Sequence, residues 1–407
     1  MMLGYLLARS GVDVVVLERH ADFFRDFRGD TIHPSTLELM RELGILEDFL
    51  RLPHQEQQRF EFRIGRERVL AADFSRLPTH CKFMVFMPQW DFLNFIAGKA
   101  KRFPGFHLLM QADVTDLVRD GVRVVGALAA TPGGEITVRA ALVVGTDGRH
   151  STVREKAGLE SVALGSPIDV LWMRISRRPD DPEQTLGTFD AGKGLVMLNR
   201  SEYWQCGYII PKGTLDGLKQ RGIAAFRGDL LALVPWLHGR VNELEGWDDI
   251  KLLTVMVDRL VEWYRPGVLC IGDAAHAMSP IGGVGVNLAI QDAVAAANNP
   301  GAGSTRTPGE RRTLEIGAAQ AGASDAIDAI PAGACPKSFD QSDADRRRDE
   351  DHVHGGMDAA ATRAPSSPDC AGDRRRLPPR ARGDAGNSRR ERAVRRTPIA
   401  FRPALSL

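Results

Sequence analysis

Between Gly272 and Asp292 the chain reads GDAAHAMSPIGGVGVNLAIQD. The run before it, Val268-Leu269-Cys270-Ile271, is short and apolar and predicts a buried strand, with Asp273 placed at its tip. Pro280 follows, then Gly282, Gly283 and Gly285, and the glycines pass directly into a helical pattern. A carboxylate at a strand tip can hold a ligand hydroxyl. Glycines let backbone N–H groups come close to a ligand, and the helix turns its positive end toward the same place. His276 is a base by residue type, but its position just after the acid suits a structural role better than a catalytic one.

Two more acids stand at predicted strand ends. Residues 3–18, LGYLLARSGVDVVVLE, predict a helix with Leu3, Leu6 and Leu7 on one face, stopped by Gly11. Val12 to Leu17 then has the near-continuous apolar character of a parallel strand, and Glu18 closes it. In a dinucleotide-binding βαβ unit an acid at this place holds the ribose hydroxyls of the adenosine half. Such a unit opens with a strand and a GxGxxG turn, and the sequence before Leu3 is only Met1-Met2. Two readings follow: an ordinary αβ pair with a surface glutamate, or a βαβ unit whose first segment is lost or lies before a start codon placed too late. The third strand, within ALVVGTDG, ends at Asp147-Gly148 and continues Arg149-His150-Ser151-Thr152-Val153-Arg154. Glycine permits the sharp turn, and Ser151 or Thr152 can cap the helix after it.

In this order the three motifs resemble those of the p-hydroxybenzoate hydroxylase-like FAD monooxygenases, and the resemblance covers residues 1 to about 298. It implies an α/β fold: an FAD-binding, Rossmann-like parallel sheet of the glutathione-reductase type, with an inserted antiparallel sheet that forms the substrate domain. It also implies a cofactor-binding set. Glu18 and Arg19 would meet the adenosine half, and Arg28 the phosphate region. Gln89 would contact the cofactor from the turn within MVFMPQWDFLNF, and a strand over 107–114, ending at Val114, the adenine. Asp147 belongs to a motif tied to both FAD and reduced nicotinamide. Gly272 and Asp273 would meet the ribityl chain, Pro280 the isoalloxazine, and Gly283, Gly285, Val286 and Asn287 its pyrimidine edge. The implied reaction consumes NADH or NADPH and O2 and hydroxylates an aromatic or similar small molecule through a flavin C4a-hydroperoxide. No protein-derived catalytic base is named. Flavin halogenases carry two tryptophans shortly before an Ile-Pro pair; Cys206 and Tyr208 stand there before Ile210-Pro211, which argues against halogenation.

The elements that position these residues divide the chain. Residues 1–164 make the first part of the FAD-binding domain, with a small β insertion in which Val122 to Ala129 and Glu135 to Val138 form a hairpin. Within it, Ser35 or Thr36 can cap a helix whose buried stripe is Leu37, Leu39, Met40, Leu43 and Leu46. Residues 165–260 alternate with the period of strands and form the substrate domain. Trp172, Phe189, Trp204 and Tyr208 either line its pocket or pack one face of the sheet against a helix. Residues 261–298 return to the FAD-binding domain.

After Asn298 the composition changes. From 299 to 407 Lys337 is the only lysine, Phe339 and Phe401 are the only aromatics, and arginines cluster at 346–348 and 374–376. Such a segment cannot bury enough apolar surface to offset its ordering entropy, so a disordered tail is expected. It is either a functional tail or a frameshifted translation of a GC-rich gene. With the incomplete βαβ unit, this leaves a second reading of the whole chain: a non-catalytic remnant unable to hold FAD. The 53 basic and 52 acidic residues leave a net charge of +1, with no field favouring nucleic acid or a membrane surface. No apolar run reaches the ~18 residues of a membrane span. The five cysteines form no CxxC pair, metal set or disulfide framework, which suits a reducing cytoplasm. Oligomeric state is not legible.

Overall fold

The structure, a computed structural model, describes residues 1–24, 31–183, 185–190 and 192–298. Arg28 and the tail from 299 to 407 lie outside the described residues.

The first helix is Met2–Arg9, and Gly11 behind it takes φ +83°. Its buried face is Met2, Tyr5 and Leu6, while Leu3 and Leu7 are only half-buried. Gly4 sets that rotation. A Cβ there would lie 2.9 Å from Val16 Cγ2, so the helix makes its closest approach to the sheet along the Gly4 side. The strand Val14–Glu18 follows and runs parallel to Phe106–Met110. Val15 stays exposed, so this strand is less enclosed than its apolar run suggests. A second parallel pair joins Val143–Gly145 to Val268–Cys270, with Tyr264–Arg265 antiparallel at its far edge. Among the described residues the two parallel pairs belong to separate sheets. One apolar cluster spans both: Val16 and Leu108 from the first, Val144, Leu269 and Ile271 from the second, with Leu37, Ile96, Ile290 and Val294 from the helices. Cys270, fully buried here, is an inert strand thiol whose pKa burial pushes up to about 12.

Two local expectations need correction. The single strand expected over 107–114 is broken at Gln111, which adopts φ +55°. The Gln111 and Ala112 N–H groups donate to the His20 and Glu18 carbonyls and lead the chain out of the parallel sheet. Asp113–Asp120 then begins a separate antiparallel sheet with Arg123–Thr131 and Gly134–Arg139. The helix Pro34–Glu42 is preceded by His33 as its cap, not by Ser35 or Thr36. Pro34 at the first helical position brings a fixed φ and no N–H to satisfy, which moves the boundary forward. Leu37, Leu39, Met40, Leu43 and Leu46 are all buried as the spacing predicts.

The antiparallel layer is a seven-stranded sheet in the order Lys251–Leu253, Ile168–Ser176, Tyr203–Pro211, Lys193–Asn199, Leu186–Asp190, Arg59–Ile64, Glu67–Asp73. The last two strands come from the first part of the chain, and Phe62 to Ile64 runs parallel to Gly187 to Phe189. Helix Ile223–Leu233 covers one face of the sheet. Leu171, Met173, Ile175, Trp204, Cys206, Tyr208 and Ile210 pack toward Phe226, Leu230 and Leu237. Trp172, Val196 and Leu198 alternate to the opposite face and pack on Phe60, Phe74, Met84 and Phe86. Trp204 and Tyr208 are therefore core residues of the helix-covered side. Phe189 meets Phe62 edge-on at 5.5 Å, and Trp172 belongs to the face turned toward the strand Met84–Phe86. No helix among the described residues is long and apolar enough to cross a membrane.

Candidate cofactor site

The strand Val268–Cys270 delivers a tight turn, Gly272–Ala274, with Gly272 at φ +59° and Asp273 half-buried beside it. Both Ala275 N and His276 N donate to the Gly272 carbonyl, at 2.8 and 2.9 Å. After the exposed Pro280, Gly282 and Gly283 take φ +76° and +61°, and helix Gly285–Asn298 begins. A Cβ on Gly285 would sit 4.0 Å from Asp273 Oδ1, so the strand-tip carboxylate and the helix N-terminus come to one place. The first turn of that helix carries no acid, which leaves its positive end uncompensated by its own side chains.

A segment from the other end of the described chain fixes the glycine turn. Thr31 Oγ1 donates to Gly283 O at 2.7 Å, and Asn287 Nδ2 donates to Thr31 O at 3.0 Å and to Gly283 O at 3.1 Å. Asn287 Oδ1 accepts from His33 N and from Thr36 Oγ1, both at 2.9 Å. The His33 ring nitrogen Nε2 lies 3.2 Å from Gly282 O. Burial lowers the His33 pKa, and the Gly282 and Gly283 backbone only partly offsets that, so the ring is neutral near pH 7. The Asn287 side chain is thus fully occupied within the protein. Gly283 cannot be replaced in this arrangement, because a Cβ would fall 1.9 Å from Thr31 Oγ1.

The Asp147 turn supports the same place from the neighbouring strand. Asp147 Oδ1 accepts from Ser151 Oγ, and Oδ2 accepts from Val153 N at 3.0 Å, while Ser151 caps the helix Thr152–Lys156. The carboxylate thereby shapes its own turn, with Gly148 at φ +85°. Arg149 Nη2 stands 4.0 Å from Asp273 Oδ2, and Arg154 Nη1 reaches Asp258 Oδ2 at 3.4 Å and Ala274 O at 3.5 Å. The two strand-end motifs thus meet through arginines.

The remaining expected residues are spread more widely. Glu18 ends its strand half-buried, its Oε1 accepting from His20 N at 3.0 Å. Burial depresses the Met1 α-amino group, and the Glu18 charge partly restores it, so the two lie within electrostatic reach. Arg19 is exposed, and Gln89 is the half-buried first residue of helix Gln89–Ala100. Val114 is the second residue of the strand Asp113–Asp120 and packs in a cluster with Leu117 and Val124. Thr31, His33, Thr36, Arg149 and Asp292 were not legible as site residues. Only the SxVR spacing pointed toward Arg154.

FAD fits what these residues offer. The strand-tip carboxylate, the left-handed glycines without room for a Cβ at Gly283, and an acid-free helix N-terminus are the donor and acceptor set its ribityl–isoalloxazine end requires.

Comparison with known proteins gives the same cofactor. The chain matches the FAD binding domain family over residues 1–299. It is 34% identical over 299 residues to 6-methylpretetramide 4-monooxygenase of Streptomyces rimosus, covering 72% of this chain and 71% of that protein. It is 30% identical over 316 residues to 3-demethoxyubiquinol 3-hydroxylase of Escherichia coli (strain K12), covering 70% and 73%. P. aeruginosa PqsL, solved in complex with 2-aminobenzoylacetate, shares the fold with a TM-score of 0.63 at 22% identity, over 73% of this chain and 82% of that one. The chain spans 57–61% of the length of five further relatives. A family match across most of the chain, together with these relatives, makes this chain a member of the FAD-binding family of aromatic monooxygenases.

Proposed function

We propose that this chain, with FAD bound, uses NADH or NADPH and O2 to hydroxylate an activated aromatic ring of a small molecule. The observation that carries the reading is the junction of the two layers. Thr31, which grips the glycine turn, pairs with Phe86, and Phe86 packs against the Trp172 face of the seven-stranded sheet. An apolar, aromatic-bearing face therefore stands one strand away from the flavin-holding turn. The names of the two relatives, a pretetramide monooxygenase and a demethoxyubiquinol hydroxylase, support an aromatic substrate.

Bound FAD supplies the redox capacity for placing one oxygen atom of O2 on the ring. The chain's own residues do the rest. Asp273 accepts hydroxyl hydrogens of the ribityl chain. The N-terminus of helix Gly285–Asn298 favours negative charge on the reduced ring, worth about 0.3–1 kcal/mol and up to ~2 when buried. The Thr31–Thr36 clamp holds the turn so that no reorganisation is needed when that charge develops. Trp172, Val196 and Leu198 help exclude water from the same region.

The test begins with the purified full chain titrated with FAD, followed by NAD(P)H oxidation with phenolic substrates and mass analysis of products formed under isotope-labelled O2. A yellow protein, substrate-stimulated NAD(P)H use and label in the product are expected. A chain that stays colourless overturns the reading. NAD(P)H use that yields only hydrogen peroxide with every phenol overturns its monooxygenase part.

A further inference from the structure

His276 lies directly behind the Asp273 turn, yet it has no place in the function above. Its Nε2 is 2.6 Å from Asp292 Oδ2, and the same oxygen accepts the Gly272 N–H at 2.8 Å. Asp292 belongs to helix Gly285–Asn298, the helix whose N-terminus meets Asp273. One carboxylate oxygen therefore ties together the turn, the imidazole and the helix. The packing is close: a Cβ on Gly272 would lie 3.0 Å from Ala289 Cβ on that helix. On its other side the His276 ring stacks on Trp263, with centroids 5.1 Å apart and a tilt of 37°.

We propose that His276 is a positioning residue for the flavin: protonated and paired with Asp292, it locks the Gly272–Asp273 turn onto helix Gly285–Asn298, and loss of its proton loosens that lock and weakens FAD binding. The proposal rests on the assignment of this turn to the flavin.

The surrounding charges agree. Asp292 faces the ring from the helix and Asp273 from its own turn. Asp258, from the neighbouring strand, accepts from Ala277 N at 3.0 Å and is paired with Arg154. Arg149 is directed at Asp273, and Trp263 brings no charge. Burial alone would lower the His276 pKa, but the Asp292 hydrogen bond and the negative charges of Asp292 and Asp273 outweigh it and raise it. A raised folded-state value means that the lock is complete below the unfolded His pKa of about 6.5 and is lost as pH rises through the higher folded value. Without the proton Nε2–H can still donate, so a charge-assisted bond becomes a neutral one rather than none.

Two measurements test this. An imidazolium quenches a stacked indole, so the emission assigned to Trp263 by the Trp263→Phe variant should rise with pH, with a midpoint above about 6.5. His276→Gln should abolish the step. FAD titrated into the full chain should bind about fivefold more weakly at high pH than at low pH, the difference between a charge-assisted and a neutral hydrogen bond. Both His276→Gln and Asp292→Asn should give weak binding that no longer changes with pH. Asp292→Asn keeps an acceptor for Gly272 N–H, so it separates loss of charge from loss of fold. A fluorescence step with pH-independent FAD affinity overturns the lock and leaves the flavin site standing. Absence of the step overturns the pair itself. Failure of the unaltered chain to bind FAD at any pH overturns the site and the lock together.

Discussion

Asn287 is joined to Thr31 across a sequence separation of 256 residues, its side-chain amide donating to the Thr31 carbonyl at 3.0 Å. The amide oxygen satisfies His33 N and Thr36 Oγ1, and the whole residue is buried. Asn287→Ala would leave buried backbone groups without partners, each costing about 1–3 kcal/mol. Urea denaturation should show a loss of about 2–4 kcal/mol, and FAD titration a clear drop in affinity. An alanine variant with unchanged stability would mean that the clamp is not formed in solution.

Gly282 and Gly283 separate two kinds of glycine requirement. Both have positive φ, but a Cβ at Gly282 meets only Val284 Cγ1 at 4.0 Å, whereas at Gly283 it meets Thr31 Oγ1 at 1.9 Å. Gly282→Ala should cost only the backbone penalty, about 1–2 kcal/mol. Gly283→Ala adds a steric clash within the clamp and should abolish FAD binding. The contrast is read by comparing thermal midpoints and flavin content of the two purified variants.

Asp181 and Arg240 form a buried pair beneath the sheet. Arg240 Nη1 and Nη2 donate to the two Asp181 oxygens at 2.5 and 2.9 Å, and Trp204 Nε1 donates at 2.9 Å. Burial alone would raise the Asp181 pKa, but the bonds from Arg240, Arg178 N and Trp204 outweigh it and bring it to about 2. A depressed folded value contributes stability that is fully present above the unfolded value near ~3.9 and lost as pH falls through it toward the folded one. Arg240→Met strands a buried carboxylate and should destabilise by about 3–5 kcal/mol at neutral pH. Denaturation midpoints followed from neutral to acid pH should show the gap between parent and variant narrowing below ~4. A constant gap would show that the pair does not titrate as described.

Trp204 and Trp172 lie on opposite faces of one sheet. Trp204 is fully buried and packs against Trp236, so Trp204→Ala should cost about 3–5 kcal/mol. Trp172 covers Gly207, where a Cβ would lie 3.0 Å from its ring, on the face turned toward the strand Met84–Phe86. Trp172→Ala should cost less stability and act mainly on substrate KM. Equal destabilisation with no change in KM would show that Trp172 takes no part in substrate binding.

The sequence spelled out the strand-end acids well because each follows a short apolar run that has no other use. Asp147, Glu18 and Asp273 all stand at or just beyond strand ends, and helix Gly285–Asn298 starts where the glycines stop. The alternation over 168–176 and 203–211 located strands but not their faces. Trp204 and Tyr208 went to the helix-covered side because helix Ile223–Leu233 needs a partner surface, the second of the two readings open to them. Thr31, His33 and Thr36 could not be read from local pattern, since their role exists only through Gly282, Gly283 and Asn287, some 250 residues away. The break at Gln111 was hidden for a similar reason: it depends on carbonyls of Glu18 and His20, supplied by a distant strand end.

The long-range closures have a consequence for how the molecule is made. Val14 waits for Phe106, Val143 for Val268, and Thr31 for Gly283. Each closure joins segments far apart in the chain, and the last needs residues close to the end of the described fold. On the ribosome, the antiparallel sheet has all its strands by Leu253, while the flavin turn has none of its second half until Gly282 emerges. A nascent chain arrested before helix Gly285–Asn298 would therefore hold every strand of the seven-stranded sheet but lack one half of the Thr31–Gly283 clamp.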